Sequence, residues 1–200
     1  MKLNLESLKD REGWEKLGVQ LPAYDVRAMR AETAKNPVWV HFGAGNIFRA
    51  FIAVLQQRLL DSGEAKAGII AADTFDVDNI RQIYGGFENL TMSVTLNPDG
   101  STSREVVGSV AEALVAQPTA GKDWERLRQV FAAPGLQLVS FTITEKGYAL
   151  KSLDGSYSPV AQADFANGPE QARHAVSIVT ALMWARYQAG ARPQIGRAHV

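Results

Sequence analysis

Val38-Trp39-Val40-His41-Phe42-Gly43-Ala44-Gly45-Asn46-Ile47-Phe48-Arg49 is the stretch that decides the fold of this 200-residue chain. It reads as an apolar strand, two glycines one residue apart, and the opening of an amphipathic helix. A glycine where the chain leaves the strand permits a sharp turn, and a second one lets a pyrophosphate lie against bare backbone. The helix that follows offers unpaired N–H groups and its positive dipole end to the same phosphates. Gly43, Ala44, Gly45, Asn46, Ile47, Phe48 and Arg49 are therefore candidate dinucleotide contacts. The third glycine of the usual fingerprint is missing, because Phe48 stands in its place. Arg49 either reaches a phosphate or an anionic substrate, or is a solvated helix arginine.

Downstream, Ile47, Phe51, Leu55 and Leu59 recur at every fourth position, with Phe48 and Ile52 beside them. This spacing predicts a helix with one buried face, stopped near Gly63. Ala67 to Ala72 is a second short apolar run, and it ends at Asp73. Asp76 is placed to cap a further helix reaching about Tyr84. The order strand, glycine turn, helix, strand, acid implies two parallel strands joined by a helix. An acid at the tip of the second strand accepts from adenosine ribose hydroxyls and repels a 2′-phosphate, which favours NAD over NADP. Asp73 stands 28 residues after Gly45, later than the roughly 20 of the usual pattern, and the long helix accounts for the delay. The alternative reading of Asp73 is a surface acid that caps the next helix.

The totals exclude several classes of function. Lysine plus arginine equals aspartate plus glutamate, 21 of each, which gives no support for nucleic acid or an anionic membrane as partner. There is no apolar run long enough to span a bilayer, and residues 1–16 lack a signal core. The absence of cysteine excludes disulfides, a thiolate nucleophile and cysteine metal sites. A soluble, cytoplasmic protein is the expectation, and 46% hydrophobic residues suffice for a normal core.

Residues 1–36 read as an extension with a short helix over 11–17. Thr91 to Leu96 and Ser101 to Val107 alternate across Asn97-Pro98-Asp99-Gly100, as in a β-hairpin. Trp124 to Phe131 predicts a helix, and Gln137 to Thr144 is the strongest strand of the chain. Asp154-Gly155 marks another tight hairpin. Pro169 is expected to open a long helix that ends near Gly190. Beyond the strongest strand, Thr144, Glu145 and Lys146 are placed to touch the nicotinamide end of a cofactor, since ligands bind past the carboxyl ends of strands in doubly wound sheets. The other reading is an ordinary polar turn. His41 reads as a satisfied core histidine. His174 has no ligand partner at metal spacing, and no metal site is expected.

Three segments together, His41 to Phe51, Ala71 to Asp76 and Ser140 to Tyr148, resemble the mannitol dehydrogenase family, the long-chain polyol-specific dehydrogenases. Within it the chain looks most like the fructuronate reductases (D-mannonate oxidoreductases) and neighbouring mannitol 2-dehydrogenases. The resemblance runs over 37–193 and implies an α/β, Rossmann-like doubly wound sheet with inserted β-hairpins. It implies NAD as cofactor, with Gly43 to Arg49 at the pyrophosphate, Asp73 at the ribose and Thr144 near the nicotinamide. A small-molecule polyol or sugar acid such as fructuronate/mannonate or mannitol/fructose is the implied substrate. Family members are about twice as long, and their catalytic lysine lies in a mostly helical C-terminal domain. On this reading the chain carries the cofactor half in an incomplete domain and is inactive alone. It has no catalytic residue of its own, with Glu145 and Lys146 as accessory groups, and the missing domain is its partner in cis. Residues 194–200 depart from the family's pattern and read as a non-native tail. Two other readings stand beside this one: a nucleotide-binding module without catalysis, and an S-adenosylmethionine-dependent methyltransferase, which also joins a glycine turn to an acid after the second strand.

Overall fold

The computed structural model describes residues 1–191, so the tail at 194–200 lies outside the described residues. The chain divides into two compact units, the first holding residues 1–114 and 137–142, the second residues 115–136 and those from 143 onward.

In the first unit, α1 (Arg11–Lys16), β1 (Val19–Gln20) and α2 (Val26–Lys35) lead to β2 (Trp39–Phe42). The chain then passes the glycine turn into a π-helical stretch (Phe48–Ile52) that continues as α3 (Ala53–Asp61). Next come β3 (Ile69–Asp73), a second π-helical stretch (Asn79–Tyr84), β4 (Thr91–Leu96), β5 (Thr102–Val107) and β6 (Val110–Val115). β7 (Leu138–Phe141) returns to complete a four-stranded sheet in the order β6-β3-β2-β7. Both β3 and β7 run parallel to β2, with Val40 opposite Ile70 on one side and Val139 on the other. Taken in chain order, the four strands have the 3-2-1-4 arrangement of a doubly wound dinucleotide fold, and the order reverses between β2 and β7. Val40, Ile69, Ile70, Ala71 and Ala72 are fully buried, as in a parallel sheet covered on both faces.

A second sheet, ordered β1-β5-β4, contains the expected hairpin, with Thr91 opposite Val107 and Leu96 opposite Thr102. β1 joins it parallel to β5. The segment 1–36, read from sequence as an extension, supplies core: Trp14, Val19, Val26 and Met29 are buried in one cluster with Leu60, Leu90, Val106 and Ala111. Full burial of side chains of this kind contributes roughly 1.5–3 kcal/mol each.

The helix after the glycine turn buries a face other than the one expected. Ile47, Phe51, Leu55 and Leu59 are 70%, 61%, 50% and 42% exposed, while Phe48, Ala53, Gln56, Gln57 and Leu60 are buried. The π-helical stretch accounts for the later positions: its hydrogen bonds span five residues instead of four, so after buried Phe48 the inward positions fall at Ala53, Gln56, Gln57 and Leu60 rather than at Ile52, Leu55 and Leu59. Gln57 is accepted in the interior because its amide donates to the Val106 carbonyl (3.0 Å) and its oxygen accepts from the Gly108 N–H (2.8 Å).

The second unit contains α4 (Lys122–Ala132), α5 (Glu145–Tyr148), α6 (Pro159–Asn167) and α7 (Ala175–Gln188). The Asp154-Gly155 turn closes a short hairpin with Lys151 bridged to Tyr157. Pro169 does not open the long helix: it starts a single 3-10 turn (Pro169–Gln171), and α7 begins only at Ala175. The His174 ring caps it, Nδ1 accepting from the Val176 N–H at 3.2 Å, and the buried Asp164 carboxylate holds the N–H groups of Arg173 and His174. Buried Arg186 donates to the carbonyls of Phe131 (2.8 Å) and Ala133 (2.9 Å), which fastens α7 to the C-terminal end of α4. Among the described residues, no helix is long and apolar enough to cross a membrane.

Candidate functional site

The glycine turn leaves β2 at the point where the strand order reverses. Gly43 has φ +101°, and a Cβ there would lie 2.5 Å from the Thr142 carbonyl oxygen. Only glycine fits such a conformation at such an approach. Its N–H donates to the Ala72 carbonyl at 2.9 Å, so the turn is pinned against β3 as well as β7. Gly45 differs: it is exposed, and a Cβ added to it would meet nothing within 4 Å. Its contribution is open space above the backbone at the start of the helix. The helix's first hydrogen bond runs from Arg49 N–H to the Gly45 carbonyl (3.1 Å), and the N–H groups ahead of it form the helix's open end.

Asp73 ends β3 and connects the turn to the loop that follows. Its Oδ2 accepts from the Ala44 N–H at 3.0 Å, and its Oδ1 accepts from the N–H groups of Phe75 and Asp76, both at 2.9 Å. Capping of the next helix falls to Asp76, whose carboxylate accepts from the Asn79 N–H at 2.9 Å. Three N–H bonds leave Asp73 with acceptor capacity, since a carboxylate offers about four lone-pair sites. The Ala44 carbonyl accepts from Tyr84 Oη (2.8 Å) and Asn79 Nδ2 (2.9 Å). Burial pushes the Tyr84 phenol above its ordinary range; the Arg49 cation opposes this and the Asp73 charge reinforces it.

Arg49 is not a free solvated cation. Its guanidinium donates to Asn79 Oδ1 (2.9 Å) and to Asn46 Oδ1, and it lies 5.8 Å from the Tyr84 ring centroid. It flanks a cavity of about 460 Å³ lined also by Asn46, Ala50, Ile83 and Phe87, none of which is a glycine of the turn. Asn46 and Ile47 are exposed beside Gly45.

Phe48 is buried, stacked on the His41 ring with centroids 4.5 Å apart and planes 11° from parallel. A third glycine would let helix and strand touch closely; here a ring laid on a ring fills that gap. His41 lies between a hydroxyl of β7 and one just past its end, with Nδ1 2.7 Å from Ser140 Oγ and Nε2 2.9 Å from Thr142 Oγ1. Burial pushes its pKa down to about 4, so the ring is neutral.

The structure thus brings Gly43 to Arg49 and Asp73 together in the first unit. Thr144, Glu145 and Lys146 belong to the second, where Thr144 precedes the single-turn α5 without a side-chain cap and all three are exposed. Sequence reasoning missed Asn79 and Tyr84. Their signal was faint: two hydrogen-bonding side chains on the helix that follows the acid. It also missed that Ser140 in β7 and Thr142 just past its end, two residues apart, pair with His41. No group of three or more His, Asp or Glu among the described residues is arranged to hold a metal.

No family model matches the chain. Individual proteins do. A D-mannonate oxidoreductase of Thermotoga maritima is 42% identical over 193 residues, which is 96% of this chain and 36% of the relative. A polyol:NADP oxidoreductase of Gluconobacter oxydans is 27% identical over 180 residues, 87% of this chain and 35% of the relative. Among solved structures, the Pseudomonas fluorescens mannitol 2-dehydrogenase ternary complex with NAD and D-mannitol superposes with a TM-score of 0.76 at 26% identity. That match covers 96% of this chain and 37% of the other. The chain is a relative of the D-mannonate oxidoreductases and mannitol 2-dehydrogenases, the group its motifs resemble. It spans little more than a third of the length of the proteins it matches.

Proposed function

We propose that this chain is the cofactor-binding part of an NAD-dependent oxidoreductase acting on a polyol or hexuronate. The observation that carries the reading is the Asp73–Ala44 hydrogen bond, which joins the acid after the second strand to the glycine turn after the first. A dinucleotide needs these two elements side by side. The pyrophosphate would lie over Gly45 and the N–H groups at the open end of the helix, where a Cβ is absent and space is free. The ribose hydroxyls would donate to the remaining lone pairs of Asp73. Arg49, already oriented by Asn46 and Asn79, would add positive charge at the flank of the phosphates.

When bound, the nicotinamide supplies a hydride to a ketone or takes one from a secondary alcohol. The part of this chain is binding and orientation. Proton transfer falls to a lysine in the part of the relatives that this chain does not match, as the family resemblance implies. Thr144, Glu145 and Lys146 would meet the nicotinamide side of the cleft in the longer protein. Calorimetric titration of the 200-residue chain with NADH, NADPH and S-adenosylmethionine tests the reading. NADH is expected to bind most tightly, and tighter binding of S-adenosylmethionine would overturn the cofactor assignment.

A further inference from the structure

The geometry points to His41 and Thr142 as positioning residues of the glycine turn, acting through a directed hydrogen-bond relay that starts at Trp39 and ends on the Gly43 carbonyl. This rests on the cofactor reading above for its functional consequence, but the relay itself follows from the contacts alone. Trp39 Nε1–H can only donate, and it lies 2.7 Å from Ser140 Oγ. At the other end, the Gly43 carbonyl can only accept, so the single hydroxyl proton of Thr142 points to it at 3.1 Å. Thr142 Oγ1 must then accept from His41, which places the ring proton on Nε2. A neutral ring protonated on Nε2 has a bare Nδ1, and this takes the hydroxyl proton of Ser140. Every donor and acceptor in the chain is satisfied in one direction only.

The relay has two effects on the turn. It holds the Gly43 carbonyl in the plane set by β7, beside a backbone already constrained by the Thr142 carbonyl that forbids a Cβ at Gly43. It also fixes the orientation of the His41 ring, which is the floor on which Phe48 stacks. Phe48 begins the π-helical stretch at the helix's open end, so the tilt of the imidazole sets where the phosphate-facing N–H groups stand. In this turn a histidine fixed in one tautomer, with Phe48 stacked on it, sets the helix–strand spacing, which is wider than the one a third glycine would allow.

The test uses the 200-residue chain and three variants: Thr142→Val, which keeps the shape and removes the hydroxyl; Thr142→Ser, which keeps the hydroxyl; and Ser140→Ala. Two signals are read. The first is NMR of the imidazole nitrogens of His41 and of the Gly43 carbonyl carbon, which needs no ligand. The parent is expected to show the Nε2–H tautomer, and Thr142→Val to shift the Gly43 carbonyl resonance while Thr142→Ser restores it. A parent ring protonated on Nδ1, or a Gly43 resonance unmoved in Thr142→Val, overturns the relay. The second is NADH affinity, expected to fall about five- to tenfold in Thr142→Val and to recover in Thr142→Ser. Equal affinity in the parent and Thr142→Val overturns the positioning role. So does an equal loss of affinity in Thr142→Val and Thr142→Ser, because that marks packing alone. A parent chain that does not bind NADH defeats the cofactor reading instead, and the relay is then decided by the NMR signals. Ser140→Ala is expected to leave the ring in the Nε2–H tautomer, because Thr142 dictates it, and a ring protonated on Nδ1 in that variant would count against the relay.

Discussion

Two turns follow parallel strands of the same sheet, and they are built in opposite ways. The turn after β2 is held from every side: Gly43 by Ala72 and Thr142, Ala44 by Asp73, Asn79 and Tyr84, Phe48 by His41. The turn after β7 runs into a four-residue helix with Thr144, Glu145 and Lys146 exposed and no side-chain cap. The first is a turn whose backbone is fixed before any ligand binds, which suits the cofactor role proposed for it. The second is an exposed surface loop with few fixed neighbours. A binding constellation held by neighbours whose own positions are fixed keeps its geometry, whereas an exposed polar turn takes its geometry from what later packs on it.

The sharpest way to break this comparison is Gly43→Ala. The positive φ and the 2.5 Å approach of a Cβ to the Thr142 carbonyl should cost at least 3 kcal/mol, the upper end of ordinary backbone strain. A thermal melt should show a large drop or no folded state, and NADH binding should vanish. A variant that melts and binds like the parent would show that the turn is not constrained as described.

Next in size is a pH effect from His41. Its folded pKa is pushed down to about 4 by burial, below an ordinary histidine near 6.5. The unfolded chain therefore binds a proton that the folded chain refuses between these values. Stability is fully present above about pH 6.5, declines as pH falls, and levels off below about pH 4, with a loss of up to roughly 3 kcal/mol. Urea titrations from pH 7.5 to 4 should follow this slope in the parent and show a smaller slope in His41→Gln.

Asp73→Ala comes third. It removes the acceptor of three backbone N–H groups, two of them exposed to water in its absence, so destabilisation of about 1–2 kcal/mol is expected. NADH affinity should fall about tenfold or more while NADPH affinity falls less, because repulsion of a 2′-phosphate is lost. That a relative carries NADP in its name makes this ratio the informative quantity, and an unchanged ratio would remove Asp73 from the ribose site. The smallest effect is expected in the second turn. Glu145→Gln and Lys146→Met should shift the melting transition by an amount equivalent to less than about 0.5 kcal/mol, and a marked destabilisation would erase the contrast between the two turns.

Much of the first turn was legible in the chain. Strand, glycine pair, helix, strand and acid are local patterns, and the four residues of the Asn97–Gly100 turn announce the β4–β5 hairpin. What escaped reading depends on partners far away along the chain. His41 meets Ser140 and Thr142 only because β2 and β7 pair across about a hundred intervening residues, and no local window contains both. The face of the helix after the turn was misjudged because a period of 3.6 was assumed where a π-helical stretch shifts the phase. Gln57 is buried because its amide is fully paired, a property that hydropathy does not register. The long helix was started too early at Pro169 because proline is a common first residue. Here Gly168, with φ +78°, turns the chain away, and the His174 ring performs the capping.

The bond between Asp73 and Ala44 has a further consequence. The loop that would receive the ribose and the turn that would receive the pyrophosphate are clasped before any nucleotide arrives, and Tyr84 and Asn79 close the clasp from the opposite side by holding the Ala44 carbonyl. These bonds tie the two halves to each other, so on the proposed reading a nucleotide would find the gap between them already formed. Affinity would then not be reduced by the entropy of ordering loops on arrival, and a fragment carrying only the adenosine end should meet the same surface as the whole dinucleotide.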